Sequence, residues 1–114
     1  MHELGICDAL LKMVDKIAKE EQLESISKIT VEVGTLSGVV PKYLEDCWQA
    51  VVDGTVYTDT LFVVDVVRGT ARCLDCGREF ETEINDRLVC PYCGGGKLTP
   101  LSGRDLTLKE IEAV

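Results

Sequence analysis

The sequence predicts an α+β fold: a small mixed three-stranded sheet with two helices, plus an inserted four-cysteine zinc-ribbon lobe. Three observations carry this expectation. Two stretches repeat apolar residues at helical spacing, and three others carry strand-like apolar alternation. One segment collects four of the six cysteines. The 114-residue length suits one domain, or one domain plus a metal-tied lobe.

Residues 4–21 read as an amphipathic helix. Cys7, Leu10, Leu11, Val14, Ile17 and Ala18 share one stripe, while Lys12, Asp15, Lys16, Lys19 and Glu20 fall elsewhere. No glycine or proline interrupts the run between Ile6 and Gln22. A strand is expected at about 26–33, where Ile29, Val31 and Val33 alternate with Lys28, Thr30 and Glu32. Gly34 and Gly38 bracket a loop. Pro41 then suits the first turn of a second helix, because its missing N–H would be unpaired there anyway. Leu44, Cys47, Trp48 and Val51 form the apolar face of that helix, which runs to about Val52, and Gly54 sits where a helix C-terminal glycine belongs.

Residues 61–68 form the next strand. Leu61, Val63 and Val67 lie on one face, and Phe62, Val64 and Val66 on the other, which suggests a central strand or one whose second face meets a partner. The tail at 105–112 resumes strand alternation, with a phase slip between Leu108 and Ile111 that reads as a bulge. The strand–helix–strand unit from 26 to 68 favours a parallel pair. Strands 61–68 and 105–112 are then expected to pair antiparallel. The implied division is residues 1–68 with 104–114 as an α/β domain, and 69–103 as a metal-binding domain. This latter segment holds two of three prolines and six of ten glycines and little apolar periodicity of its own, so it needs a metal or disulfides to fold.

Composition removes several functions. A formal charge of −8 argues against nucleic acid or an anionic membrane as the main partner. The longest uninterrupted apolar run, Leu61–Val64, is far short of the roughly 20 residues a spanning helix needs. The first eight residues carry two acids and no basic n-region, so no export signal is expected and the cytoplasm is the expected compartment. There, thiols stay reduced. A single histidine excludes sites needing several imidazoles from one chain. No nucleophile–base pair, phosphate loop or open metal site is evident, so an enzyme is not expected. Asp46, Asp53, Asp59 and Asp65 are scattered acids that read as solvated or capping.

The strongest motif is Cys73-Leu74-Asp75-Cys76, thirteen further residues, then Cys90-Pro91-Tyr92-Cys93. Two CxxC turns at this separation predict a tetrahedral four-thiolate zinc site. Two intervening residues let a tight turn aim both sulfurs at one ion, and Gly77 and Gly94 follow the pairs where positive φ is needed. With four protein ligands the site is closed, which suits structure rather than catalysis. Between Arg72 and Lys97, four basic residues face five acids, a poor phosphate-binding balance, so protein contact is the expected role. Cys7 and Cys47 read as small core residues.

His2 is the only histidine. The Met1 amine, the His2 amide nitrogen and the His2 imidazole are covalent neighbours that can close fused chelate rings on one ion. The Glu3 amide can complete a plane. Square-planar nitrogen donors suit Ni(II) or Cu(II). Because binding displaces protons, affinity should fall on acidification.

Met1-His2-Glu3, the early helix, Val31-Glu32-Val33-Gly34, Pro41, the two CxxC pairs and the closing 106–112 strand together resemble the HypA/HybF hydrogenase nickel-incorporation proteins. The resemblance spans essentially the whole chain. It implies a nickel metallochaperone delivering Ni(II) to the [NiFe]-hydrogenase large subunit, working with a HypB-type GTPase, and in some organisms also serving urease maturation. It implies His2 as the essential nickel ligand, with Met1 and Glu3 contributing backbone nitrogens, and Cys73, Cys76, Cys90 and Cys93 as zinc ligands. Family members that complete the nickel site with a histidine from the zinc lobe have no counterpart here. The remaining donor is therefore a backbone nitrogen, a cysteine, water or a partner's ligand. Zn(II) would be structural and Ni(II) the cargo, in a monomer or a homodimer. The competing reading is a non-enzymatic zinc-ribbon adaptor for protein or nucleic acid.

Overall fold

A computed structural model describes residues 3–82 and 88–113. Two helices and six strands follow in the order α1 (Glu3–Glu20), β1 (Ile26–Gly34), α2 (Pro41–Val52), β2 (Leu61–Val67), β3 (Gly69–Cys73), β4 (Glu79–Thr82), β5 (Leu98–Ser102) and β6 (Leu106–Ala113). They make two three-stranded sheets, ordered β2-β1-β6 and β4-β3-β5. The α+β class and both helices are as the sequence predicts.

The first sheet is mixed: β1 pairs parallel with β2 and antiparallel with β6. Two expectations are corrected here. The tail strand docks against β1 rather than β2, and β1 rather than β2 is central. Burial decides this. Ile29, Val31 and Val33 are at most 1% exposed, whereas Leu61 and Val66 on β2 are more than half exposed. The predicted bulge is present: Thr30 pairs Glu110 and Val31 pairs Leu108, leaving Lys109 as the extra residue.

Both helices pack on one face of this sheet. Cys7, Leu10 and Val14 from α1 meet Leu44, Trp48 and Val52 from α2 in one core with Ile29, Val31 and Val33. Burying each large aliphatic or aromatic side chain contributes about 1.5–3 kcal/mol. Trp48 stacks on Phe62, with ring centroids 4.6 Å apart and planes within 10°. The two helices are also joined by a polar contact, the Cys7 thiol donating to the Leu44 carbonyl at 3.5 Å. Pro41 opens α2 after Val40, and Gly54, at φ +78°, follows its Asp53 cap as expected. No helix among the described residues is long and apolar enough to cross a membrane.

The second sheet is antiparallel throughout. It is tied to the first where three chain segments converge. Gly34, Gly69 and Gly103 touch so closely there that a Cβ on Gly34 would enter the Gly103 backbone, and one on Gly103 would enter Gly69. Thr35 bridges the junction. Its hydroxyl accepts from the Gly69 N–H at 2.8 Å and donates to the Thr82 carbonyl at 2.7 Å.

Candidate metal centre

The cysteines sit on two turns built alike. β3 delivers Cys73 at its last residue, and the chain then reverses, with the Gly77 N–H bonded to the Cys73 carbonyl at 2.8 Å. The second turn repeats this with the Gly94 N–H on the Cys90 carbonyl, also at 2.8 Å. Gly77 and Gly94 lie at φ +78° and +77°, the left-handed conformation that glycine adopts without a Cβ penalty. The Cys76 N–H reaches the Cys73 sulfur at 3.5 Å, and the Tyr92 N–H reaches the Cys90 sulfur at 3.4 Å. Backbone donors therefore face sulfur that carries negative charge as thiolate.

All four sulfurs lie within 4.8 Å of one another. The Cys73–Cys93 and Cys76–Cys90 separations are both 3.6 Å. A disulfide needs about 2.05 Å. A tetrahedron with metal–sulfur bonds of about 2.3 Å has edges of about 3.8 Å. The cluster therefore has the dimensions of a four-thiolate metal site, and none of the six cysteines is in a disulfide. Cys73 and Cys90 are buried, and Cys76 and Cys93 face solvent.

Without metal, Cys90 and Cys93 are pushed in opposite directions. Burial pushes the Cys90 thiol up, but the backbone N–H groups of Cys93 and Tyr92 outweigh it and bring Cys90 down to about 7. The Gly95 N–H favours the Cys93 thiolate, but contact with Cys73, burial and the other sulfurs prevail and raise Cys93 to about 12. A divalent ion held by all four as thiolates would remove this conflict.

Two supporting features carried no sequence signal of their own. The Arg78 guanidinium lies 4.8 Å from the centre of the Tyr92 ring, so a residue just after the first turn covers the middle of the second. Asp75 stands close enough to Gly95 that a side chain there would strike its carboxylate. Both depend on how the two turns face each other. Neither can be read from local spacing.

The structure thus brings together the four predicted cysteines. Cys7 is buried in the core, as expected, and Cys47 is half-buried on α2. Met1 and His2 lie outside the described residues, as does the side chain of Glu3; Glu3 itself is the first residue of α1.

The fold and site define a small metal-binding protein: an α/β layer joined to a ribbon that carries four converging thiols. A family model described as "Hydrogenase/urease nickel incorporation, metallochaperone, hypA" matches residues 1–113. The chain belongs to the HypA family, whose members are metallochaperones acting as maturation factors, not enzymes. It is 35% identical over 112 residues to the hydrogenase maturation factor HypA of Aquifex aeolicus, covering 98% of this chain and 96% of that protein. It is 35% identical to the Streptomyces avermitilis factor of the same name, covering 97% and 86% of the two chains. The solution structure of the Ni metallochaperone HypA from Helicobacter pylori superposes with a TM-score of 0.68 at 21% identity, covering all of this chain and 98% of that one. At that identity the likeness establishes a shared fold.

Proposed function

We propose that this protein carries Ni(II) in the cytoplasm to the large subunit of [NiFe]-hydrogenase. The family match across residues 1–113 carries the reading, since it includes the Met1-His2-Glu3 start. Nickel is held by the Met1 amine, the His2 amide and imidazole, and the Glu3 amide. Local structure favours this donor set. Glu3 opens α1, and the first N–H groups of a helix have no intrahelical acceptor. A metal can therefore take the Glu3 nitrogen without breaking a helical hydrogen bond. A HypB-type GTPase and, where the host has it, the urease maturation system are the expected partners.

Cys73, Cys76, Cys90 and Cys93 hold zinc. Four soft thiolates in a closed tetrahedron suit a d¹⁰ ion without geometric preference, and leave no open position for catalysis. The zinc folds residues 69–103 as a unit distinct from residues 1–68 and 104–114.

Nickel titration of untagged, zinc-loaded protein beside His2→Ala tests the reading. Loss of the imidazole should weaken nickel binding by more than about 100-fold, beyond the cost of losing a merely supporting partner. X-ray absorption should report sulfur on zinc and nitrogen on nickel. Equal nickel affinity in both proteins, with zinc binding intact, would leave a zinc-ribbon adaptor as the better account.

A further inference from the structure

Arg104 sits between two apolar clefts. The first, about 530 Å³, lies between α1 and β6, walled by Ile6, Leu10 and Met13 on the helix and by Leu106 and Leu108 on the strand. The second, about 280 Å³, opens on the ribbon among Leu36, Ala71, Leu98 and Pro100. Arg104 lines both. It is exposed and makes no ion pair among the described residues. The chain holds 20 Asp and Glu residues, yet among the described residues no carboxylate lines either cleft. Asp105, the next residue, lines a separate cleft with Glu32. We propose that this double cleft docks an extended segment of a partner protein in which one Asp or Glu stands between apolar side chains, its carboxylate pairing with Arg104.

Charge selects the acid. A chain of net charge −8 repels acidic ligands over most of its surface, so an acid is favoured where a lone cation stands clear of carboxylates. A guanidinium also offers a planar fork of donors that matches a carboxylate.

Shape selects the rest of the segment. An apolar molecule ending in a carboxylate, such as a fatty acid, fills the cleft on one side of Arg104 and leaves the other empty. A segment with apolar side chains on both sides of its acid fills both. Leu106 and Leu108 stand two residues apart on β6, the spacing at which an extended chain repeats side chains on one face. β6 is also an edge strand of its sheet, so its outer side has room for an extended chain alongside. Arg104 directly follows Gly103 at the junction of the two layers, so the docked segment touches both layers at once.

The probe is a capped nonapeptide, Leu-Ser-Leu-Ser-Glu-Ser-Leu-Ser-Leu, titrated into the full metal-loaded chain and followed by amide NMR. The amides of Leu10, Met13 and Leu108 should shift together with those of Ala71 and Leu98, along one binding curve. Replacing the peptide's Glu by Gln should weaken binding about tenfold. Arg104→Glu should weaken it at least as much with an unchanged melting temperature, because Arg104 is exposed. The same variant should bind the peptide carrying Lys in place of Glu more tightly than the parent chain does. No binding at millimolar peptide would overturn the proposal, as would equal affinity for the Glu and Gln peptides. Shifts confined to one cleft, or reproduced in both by dodecanoate, would overturn it in favour of a site for lipid chains. The same shifts on concentrating the protein alone would overturn it in favour of a second copy as the occupant.

Discussion

Tyr57 is nearly buried, and its hydroxyl donates to the Asp15 carboxylate at 2.5 Å, pinning the 53–60 turn to the middle of α1. Burial first, and then the Asp15 hydrogen bond and charge, push its pKa up to about 12. Ionised tyrosine is thus less stable in the fold than in the unfolded chain, where the pKa is near 10. The stabilisation is complete below about pH 10 and is lost as pH rises toward about 12. Tyr57→Phe should destabilise the protein by about 1 kcal/mol at pH 8, the usual worth of such a bond. Between pH 10 and 12 the gap from the parent should close, as followed by denaturant melts at each pH. A gap that widened there would contradict the assignment of the shift to Tyr57.

The metal ribbon shows how much an element depends on what it binds. β3, β4 and β5 supply few fully buried apolar side chains: Ala71 and Cys73 are among the buried residues, while β5 is exposed or half-buried throughout. Among the described residues, nothing comparable to the Trp48-centred core holds these strands without metal. Chelating the metal at neutral pH should therefore melt the 69–103 region and leave α1, α2 and the first sheet folded. Trp48, the only tryptophan, lies fully buried in the first layer and reports on it by fluorescence. Its emission should remain that of a buried indole after chelation, while amide signals of 69–82 collapse. At the same scale, Arg78→Ala removes the guanidinium from Tyr92. That contact is worth about 0.5–1 kcal/mol at an exposed site, so the metal should leave a few-fold faster in a competitive chelator assay.

Across the whole molecule, the two layers extend to 54 × 24 × 17 Å and are held in line by the convergence of Gly34, Gly69 and Gly103. Gly103, at φ +80°, adopts a conformation that costs other residues about 1–3 kcal/mol, and any Cβ there would also meet Gly69. Thr35→Val keeps the shape of the side chain but strands the Gly69 N–H and the Thr82 carbonyl, at a cost of about 1–3 kcal/mol. Both Gly103→Ala and Thr35→Val should loosen the junction. Small-angle scattering should report a radius of gyration above the 17.2 Å of the parent fold, with metal content unchanged. An unaltered radius in both variants would place the alignment of the layers elsewhere.

Much of this protein follows from local sequence alone. Helical spacing marks the buried stripe of α1, proline and glycine bound α2, and two CxxC turns with trailing glycines specify four converging thiols. Each of these is decided by covalent geometry or by periodicity over a few residues. Strand order was not legible in this way. The both-sided apolar pattern of β2 suits a central strand, yet β1 takes the centre because only it meets both β2 and the returning chain. Gly34 reads as a loop boundary, and its tight approach to Gly103 depends on segments nearly seventy residues apart. The Arg78–Tyr92 contact likewise exists only once both thiol turns face the same point. Chemistry carried by neighbouring residues is written in the sequence, whereas packing between distant segments is chosen by which arrangement buries the shared core.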